Sequence, residues 1–195
     1  MARNNGDLRR GILDEARSIL LAEGYAQVSM RKIASAVGCT PTSIYLYFDS
    51  KDALFHALIE EGMERLYEQL AAIADEGGDP QRRFARLCRS FLEFGLENPE
   101  YYEIMFVVHP EQMSRYPSEK YRKARRSLRL FAETIAEARD GAADDAMVDA
   151  SVLWAQLHGA ASLMLARRLD AGLDAARFVD AVVAHASALL ATSET

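Results

Sequence analysis

Hydroxyl and aromatic side chains cluster in the stretch TPTSIYLY, residues 40–47, which contains no aspartate or glutamate. If Ile44 and Phe48, four residues apart, face the interior from a helix, the polar side chains lie on its exposed sides. These polar side chains are Thr40, Thr42, Ser43, Tyr45 and Tyr47. Such a face suits the major groove of DNA, where its neighbours would be base edges and phosphates. The chemistry that this stretch indicates is therefore contact with a duplex.

Lys51 lies in the first turn of the next predicted helix. A cation there interacts unfavourably with the helix dipole. A phosphate partner therefore explains Lys51 better than helix stability does. Tyr45 and Tyr47 have an alternative role, because either ring can simply pack on the following helix. Their spacing from Gly38, Pro41 and Lys51 favours DNA contact.

The residues before this stretch predict a helix, a tight turn and a second short helix. Ser29 can cap the first helix with its hydroxyl, and Gly38 ends it because glycine readily adopts a left-handed backbone. Thr40 can cap the second helix, with Pro41 at its first position, where the missing N–H costs nothing. The buried face of the first helix is predicted to consist of Ile33, Ala34 and Val37. This pattern is typical of a helix-turn-helix.

The run from Ile33 to Leu54 resembles the DNA-binding domain of the TetR family of transcriptional regulators. The matching residues are Ala34, Gly38, Ile44, Tyr45, Tyr47, Phe48, Lys51 and Leu54. The resemblance implies an all-helical, homodimeric, ligand-responsive repressor whose partners are operator DNA and a small-molecule effector. By position it implies base contacts for Arg31, Thr40, Pro41, Thr42, Ser43 and Tyr45, and phosphate contacts for Tyr45, Tyr47 and Lys51. Many members carry Gly or Thr before a Leu-Tyr pair where this chain has Thr42-Ser43-Ile44, so no operator sequence can be carried over.

Composition agrees with an all-α fold, because half of the 195 residues are apolar and only five are proline. The net charge of −6 opposes DNA binding, but the first 51 residues carry +2 and the remainder carries −8. No apolar run approaches the roughly 20 residues of a membrane span, and the N-terminus lacks an apolar signal core. We therefore expect a cytoplasmic protein. Cys39 and Cys88 have no metal-ligand spacing and indicate neither a disulfide nor a zinc site.

The sequence contains no phosphate-binding glycine loop, no Gly-x-Ser-x-Gly turn and no His-Glu-x-x-His pair. The four histidines are scattered: His56, His109, His158 and His185. We therefore expect neither an enzyme nor a cofactor or metal. A helical adaptor that binds only proteins is the alternative function, and it would not require a groove-facing helix at residues 40–47.

Apolar periodicity predicts further helices over residues 7–23, 50–74, 80–97, 118–139, 144–169 and 174–191. Ser50 and Ser118 are the expected caps of two of them. We divide the chain into a three-helix DNA-binding domain, residues 1–50, and a larger helical effector-binding and dimerisation domain, residues 51–195. The irregular stretch between His109 and Pro117 is a candidate ligand loop or gate. The basic run that follows it, from Lys120 to Arg129, is predicted to be a solvated face rather than a second DNA site.

An apolar or amphipathic effector needs an apolar pocket with a few polar groups. The candidate contacts are Phe91, Phe94, Tyr102, Met105, Phe106, His109, Trp154 and His158. For each aromatic or methionine side chain the alternative is ordinary core packing. His158 lies on an otherwise apolar stripe and needs a hydrogen-bond partner.

The last two predicted helices each carry two apolar stripes, so each has two faces to bury. A four-helix interface between two copies would satisfy both. The residues assigned to it are Val152, Ala155, Gly159, Ser162, Val179, Val183, Ala186 and Leu190. The string from Trp154 to Gly159 also resembles a C-terminal domain type named for its Trp-His-Gly signature.

Overall fold

The structure, a computed structural model, describes residues 5–107 and 125–191. Within these residues the regular elements are helices and no strand is present, which confirms the all-α prediction. The N-terminal elements are α1 (Asn5–Glu23), a 3₁₀ turn (Tyr25–Gln27), α2 (Met30–Val37), α3 (Pro41–Tyr45) and α4 (Lys51–Ala74). They are followed by α5 (Pro80–Glu97), α6 (Pro99–Tyr102), a π-helical turn (Glu103–Val107), α7 (Arg126–Ala138), α8 (Met147–Leu165), α9 (Ala175–Ala188) and a 3₁₀ turn (Leu189–Ala191).

The helix boundaries differ most from the sequence prediction at two places. The described part of the helix expected over residues 118–139 begins at Arg126, after Arg125 at the N-cap. The predicted ligand loop from His109 and the predicted cap at Ser118 lie outside the described residues. The helix expected to reach residue 169 ends at Leu165, because Arg167 takes a left-handed backbone with φ 53°.

The described residues form two compact units. The N-terminal unit comprises residues 5–62 and 99–107, and the C-terminal unit comprises residues 63–98 and 125–191. Helix α4 contributes its first part to the N-terminal unit and the rest to the C-terminal unit. The division into domains after residue 50 stays a prediction.

The core of the N-terminal unit forms around α1, whose apolar side buries Ile12, Ala16, Ile19 and Leu20. Helix α6, which the sequence analysis did not assign, belongs to this unit and packs on α1. Arg17 donates a hydrogen bond to the hydroxyl of Tyr101, and its guanidinium lies 4.8 Å from the centre of that ring. A Cβ at Gly62 would lie 2.8 Å from Cδ1 of Tyr101, so a glycine at this position of α4 allows α6 to approach closely.

The core of the C-terminal unit forms around α5, which contacts α7, α8 and α9. Asp79 accepts a hydrogen bond from the amide of Gln81, at 3.1 Å, and so caps α5. The apolar side of α5 buries Phe84, Leu87, Cys88, Phe91, Leu92 and Phe94. Burial raises the pKa of the Cys88 thiol to about 12, so this thiol stays protonated and packs as a core side chain.

Candidate nucleic-acid interface

Helices α2 and α3 form the predicted helix-turn-helix. The Ser29 hydroxyl accepts a hydrogen bond from the amide of Lys32, at 3.2 Å, at the start of α2. Gly38 ends α2 with φ 75° and ψ 38°, and its N–H donates to the carbonyl of Ala34. A left-handed residue at this position favours glycine. The predicted cap and the predicted glycine stop of α2 are both confirmed.

Helix α3 is a single short helix whose orientation is fixed at two points. The Thr40 hydroxyl caps it by accepting a hydrogen bond from the amide of Ser43, at 3.2 Å, and Pro41 is its first residue. Ile44 is fully buried and Phe48 is 4% exposed. The inward direction of α3 is therefore fixed by Ile44, as the sequence predicted.

The residues predicted to contact DNA lie in the N-terminal unit, around α2, α3 and the start of α4. The exposed ones are Arg31, Thr40, Pro41, Thr42 and Tyr45, and the half-buried ones are Ser43, Tyr47 and Lys51. Tyr45 is 51% exposed. Nothing in α3 carries a negative charge, so a phosphate approaching this helix meets no repulsion from it.

Lys51 has an intramolecular role that the sequence did not indicate. Its ammonium donates a hydrogen bond to the carbonyl of Tyr25, at 2.8 Å, and lies 3.9 Å from the centre of the Tyr25 ring. Desolvation lowers the pKa of Lys51, and the nearby charge of Asp52 partly offsets this. The Tyr25 carbonyl and ring therefore give this cation an intramolecular partner at the start of α4, and its contact with a phosphate stays a prediction. Ser50 caps α4 as predicted, accepting a hydrogen bond from the amide of Ala53, at 3.1 Å.

Leu46 was not among the predicted DNA contacts, and it is 81% exposed at the C-terminal end of α3. Its backbone stays helical, with φ −73° and ψ −17°. The signal was available, because Leu46 follows the predicted inward residue Ile44 by two positions and therefore projects to the opposite side.

Four of the predicted effector residues lie in the C-terminal unit and three in the N-terminal unit. In the C-terminal unit the ring of Phe91 lies 4.8 Å from Trp154 and 5.0 Å from His158, between ring centres. Phe94 is buried on the same helix as Phe91. Phe131 also joins this cluster, 5.9 Å from Trp154. Phe91, Phe131, Trp154 and His158 thus form one cluster of close ring contacts, as expected for core packing.

In the N-terminal unit Tyr102 and Phe106 are in contact, with ring centres 5.2 Å apart. Met105 belongs to the π-helical turn, four residues after Tyr101 of α6, and is half-buried. His109, the remaining predicted effector residue, lies outside the described residues.

A cavity of about 600 Å³ opens in the C-terminal unit. It is lined by Tyr67, Arg125, Arg126, Leu128, Arg129, Leu130, Glu133 and Met147, none of which was predicted as an effector contact. The guanidinium of Arg126 pairs with Glu64 at 2.6 Å, and that of Arg129 pairs with Asp144 at 2.8 Å. These ion pairs are what a solvated face would show in the described part of the basic run. Three further members of the run, Lys120, Arg122 and Lys123, lie outside the described residues.

The residues predicted for a dimer interface divide into two groups. On α8, Val152, Ala155, Gly159 and Ser162 are exposed. On α9 and the turn after it, Val179, Val183, Ala186 and Leu190 are at most 7% exposed. Because α9 packs on α5 and α8, these four side chains belong to the interior of one protomer. Their assignment to an interface was wrong.

Metal-binding clusters and membrane-spanning helices are both absent from the part of the chain that the structure describes. No group of three or more histidine, cysteine, aspartate or glutamate side chains is arranged to hold a metal ion in residues 5–107 and 125–191. In the same residues, no helix combines the length and the apolar character that crossing a membrane requires.

Comparison with known proteins defines the class and then the family. Residues 12–58 match the family model described as "Bacterial regulatory proteins, tetR family". Residues 84–186 match the model described as "Tetracyclin repressor-like, C-terminal domain". The fold and these matches define a bacterial transcriptional regulator with a helix-turn-helix. The chain belongs to the TetR family. Its resemblance to the Trp-His-Gly type of C-terminal domain stays a prediction.

Individual relatives agree with this assignment. The chain is 28% identical over 109 residues to the uncharacterized HTH-type transcriptional regulator YobS of Bacillus subtilis (strain 168), covering 55% of this chain and 56% of YobS. It is 40% identical over 70 residues to the HTH-type transcriptional repressor Rv1474c of Mycobacterium tuberculosis (strain ATCC 25618 / H37Rv), covering 36% and 35%. The matched part thus spans about half or less of these curated relatives. A solved protein of unknown function from Rhodococcus sp. RHA1 is similar with TM-score 0.77 and 29% identity, over 94% of this chain and 93% of that one.

Burial gives His158 a pH-dependent effect on stability. Desolvation lowers its pKa from the ordinary value of 6.5 to about 4. Between these two values the unfolded chain binds a proton at His158 that the folded chain does not, so the free energy of unfolding falls as the pH falls from 6.5 towards 4. The expected loss approaches about 3 kcal/mol.

Urea unfolding at pH 7, 6 and 5 measures this loss. His158→Gln should flatten the pH dependence over that window, because the titrating group is gone. His185→Gln replaces an exposed histidine on α9, and this control should show the same pH dependence of the free energy of unfolding as the wild type. A pH dependence that is identical in the wild type and His158→Gln would contradict the assigned cause.

Proposed function

We propose that this TetR-family protein is a transcriptional repressor that binds a palindromic operator as a homodimer and is released by a small amphipathic effector. The observation that supports DNA binding best is the exposed side of α3. That side carries hydroxyls and an aromatic ring, lacks acidic groups and is held in place by Thr40 and Ile44. A rigid helix with these groups can enter a major groove without first being ordered.

The side chains around α3 divide by the part of the duplex that they can reach. Thr42 and Ser43 lie on α3 and offer hydroxyls to base edges. Tyr45 and Tyr47 lie near its end and offer hydroxyls to phosphates. Lys51 can join them, because an ammonium has three N–H donors and the Tyr25 carbonyl uses one of them.

The dimer is proposed to form through the outer sides of α8 and α9. On α8, Val148 is 72% exposed and Val152 is 50% exposed. Ala155, Gly159 and Ser162 continue the same stripe at helical spacing. On α9 the exposed alanines Ala181, Ala184 and Ala188 are now assigned to the interface, in place of the four buried residues. Small side chains on two neighbouring helices allow close approach of a second copy, with the same surface on both subunits.

The effector is proposed to act on the separation of the two copies of α3. In a two-fold dimer these must lie about 34–36 Å apart to enter successive major grooves. An effector that binds only a differently spaced form shifts the population away from DNA, with α4 as the continuous helix that transmits the change. By linkage, the operator then weakens effector binding by the same factor, and equal affinity of the effector for free and operator-bound protein would contradict this mechanism.

The cavity lined by Tyr67 and the arginines of α7 is the proposed effector site. Its guanidinium groups lie beside Leu128, Leu130 and Met147. This combination suits an amphipathic molecule better than a purely apolar one, since the arginines provide hydrogen-bond donors and the other side chains provide apolar contact. The aromatic residues Phe91, Trp154 and His158 are assigned to packing rather than to effector contact.

Tyr45 provides the direct test of DNA binding. Tyr45→Ala should weaken binding to a duplex selected from a random pool by about tenfold or more, because a hydrogen bond to a charged phosphate is lost. Fluorescence anisotropy with labelled duplex measures the affinity. The thermal midpoint should stay close to that of the wild type, because Tyr45 is half exposed.

Tyr45→Phe is the matched control for this test, because it removes only the hydroxyl. A loss in Tyr45→Phe as large as that in Tyr45→Ala assigns the effect to the hydroxyl and its phosphate. Wild-type affinity in Tyr45→Ala would remove α3 from the proposed interface.

Val152 provides the test of the dimer. Val152→Glu should shift the protein from dimer to monomer at micromolar concentration, because it would place two carboxylates in an apolar contact. Sedimentation velocity measures the shift. Leu21→Glu makes a similar change at a leucine of α1 that is 56% exposed and should leave the dimer intact. A Val152→Glu protein that stays dimeric, or a wild type that is monomeric, would exclude the α8–α9 interface.

A further inference from the structure

The side of α3 that points most directly away from the core carries Thr42 and Leu46. Ile44 is fully buried and marks the inward direction. Successive residues of an α-helix are separated by about 100°, so Thr42 and Leu46 project about 160° from Ile44 on either side. Leu46 is the C-cap, and its φ of −73° and ψ of −17° keep it on this helical path. The two residues, four apart, form one outer ridge.

The ridge is flanked by polar groups on both sides. Tyr45 lies on one flank and is 51% exposed, and Ser43 and Tyr47 lie on the other. A single exposed leucine on a protein surface carries no information by itself. The position of Leu46 is informative, because the outer ridge of a helix inserted in a groove faces the base edges most directly.

The chemistry of the ridge selects one feature of the base pairs. Leu46 offers only methyl and methylene groups, and Thr42 offers a methyl group beside its hydroxyl. In the major groove the apolar feature of a base pair is the 5-methyl group of thymine. Cytosine lacks this methyl group and presents an amino group that donates hydrogen bonds, and the leucine side chain has no acceptor for them. Leu46 therefore favours an A·T pair over a G·C pair.

We propose that Leu46 is a specificity-determining residue that contacts a thymine 5-methyl group in each half of the operator, with the Thr42 methyl beside it. This inference rests on the proposed DNA binding. It adds a residue that reads sequence by apolar contact, and it requires a thymine at a fixed position in each half-site. Leu46 acts in this proposal without any hydrogen bond.

The test uses the full-length protein and the duplex that it enriches from a random pool. Each thymine is replaced in turn by deoxyuridine, which removes only the methyl group. At one position in each half-site, replacing the thymine should weaken the binding of the duplex to the wild-type protein about fourfold. This factor corresponds to about 0.8 kcal/mol, the free energy of burying one methyl-sized group. Leu46→Ala should bind the thymine duplex more weakly and bind both duplexes equally. Anisotropy titrations of the two proteins against the two duplexes form a double-mutant cycle.

Leu173→Ala is the matched control, because Leu173 is 46% exposed and lies in the C-terminal unit. It should keep the fourfold preference for thymine. A Leu46→Ala protein with the wild-type preference would overturn the proposal, and so would a wild type that no deoxyuridine substitution affects. Failure to enrich any sequence would overturn the proposed DNA binding and this inference with it; enrichment without a Leu46 effect would overturn the inference alone.

Discussion

The proposed function depends on the anchoring of one short helix. Helix α3 contains five residues, far fewer than the roughly 12–15 that an isolated helix needs to be even marginally stable in water. Its orientation must therefore come from packing, and Ile44 at 0% exposure and Phe48 at 4% exposure provide it. The Thr40 cap adds a hydrogen bond at the first turn. Because two inward side chains and one cap fix the helix, Thr42, Tyr45 and Leu46 can face outward for contacts with another molecule.

The C-terminal unit is built differently, around one long helix that is surrounded by others. Helix α5 packs on α7, α8 and α9, and within residues 5–107 and 125–191 the outer sides of α8 and α9 remain exposed. Exposed valines and alanines there are the kind of surface that a second copy buries. In the proposed mechanism this pairing determines the spacing of the two copies of α3, so dimer packing and DNA affinity are coupled.

Local signals in the sequence predicted much of this fold. The limits of α5 were predicted at Pro80 and Glu97 and are found there, because Asp79-Pro80 starts a helix and Asn98-Pro99 ends it. Local signals likewise predicted the turn at Gly38 and the helix caps at Ser29, Thr40 and Ser50. Leu46 could also have been found, since its direction follows from the position of Ile44.

Features that depend on distant residues could not be predicted in the same way. Lys51 binds the carbonyl of Tyr25, 26 positions away. Both stripes of α9 are apolar, and the choice of the inward one depends on where α5 and α8 lie. Helix α6 joins the N-terminal unit although it follows α5 in the chain, and the contacts of Arg17 with Tyr101 have no local signature. The cavity beside α7 likewise forms from three separate helices.

In the proposed complex, two copies of α3 enter successive major grooves on one face of a duplex. Hydroxyl-radical footprinting of the enriched duplex measures this arrangement. We expect two protected clusters on each strand, with centres about 10 base pairs apart and symmetric about the middle of the site. One isolated cluster, or uniform weak protection along the duplex, would contradict it.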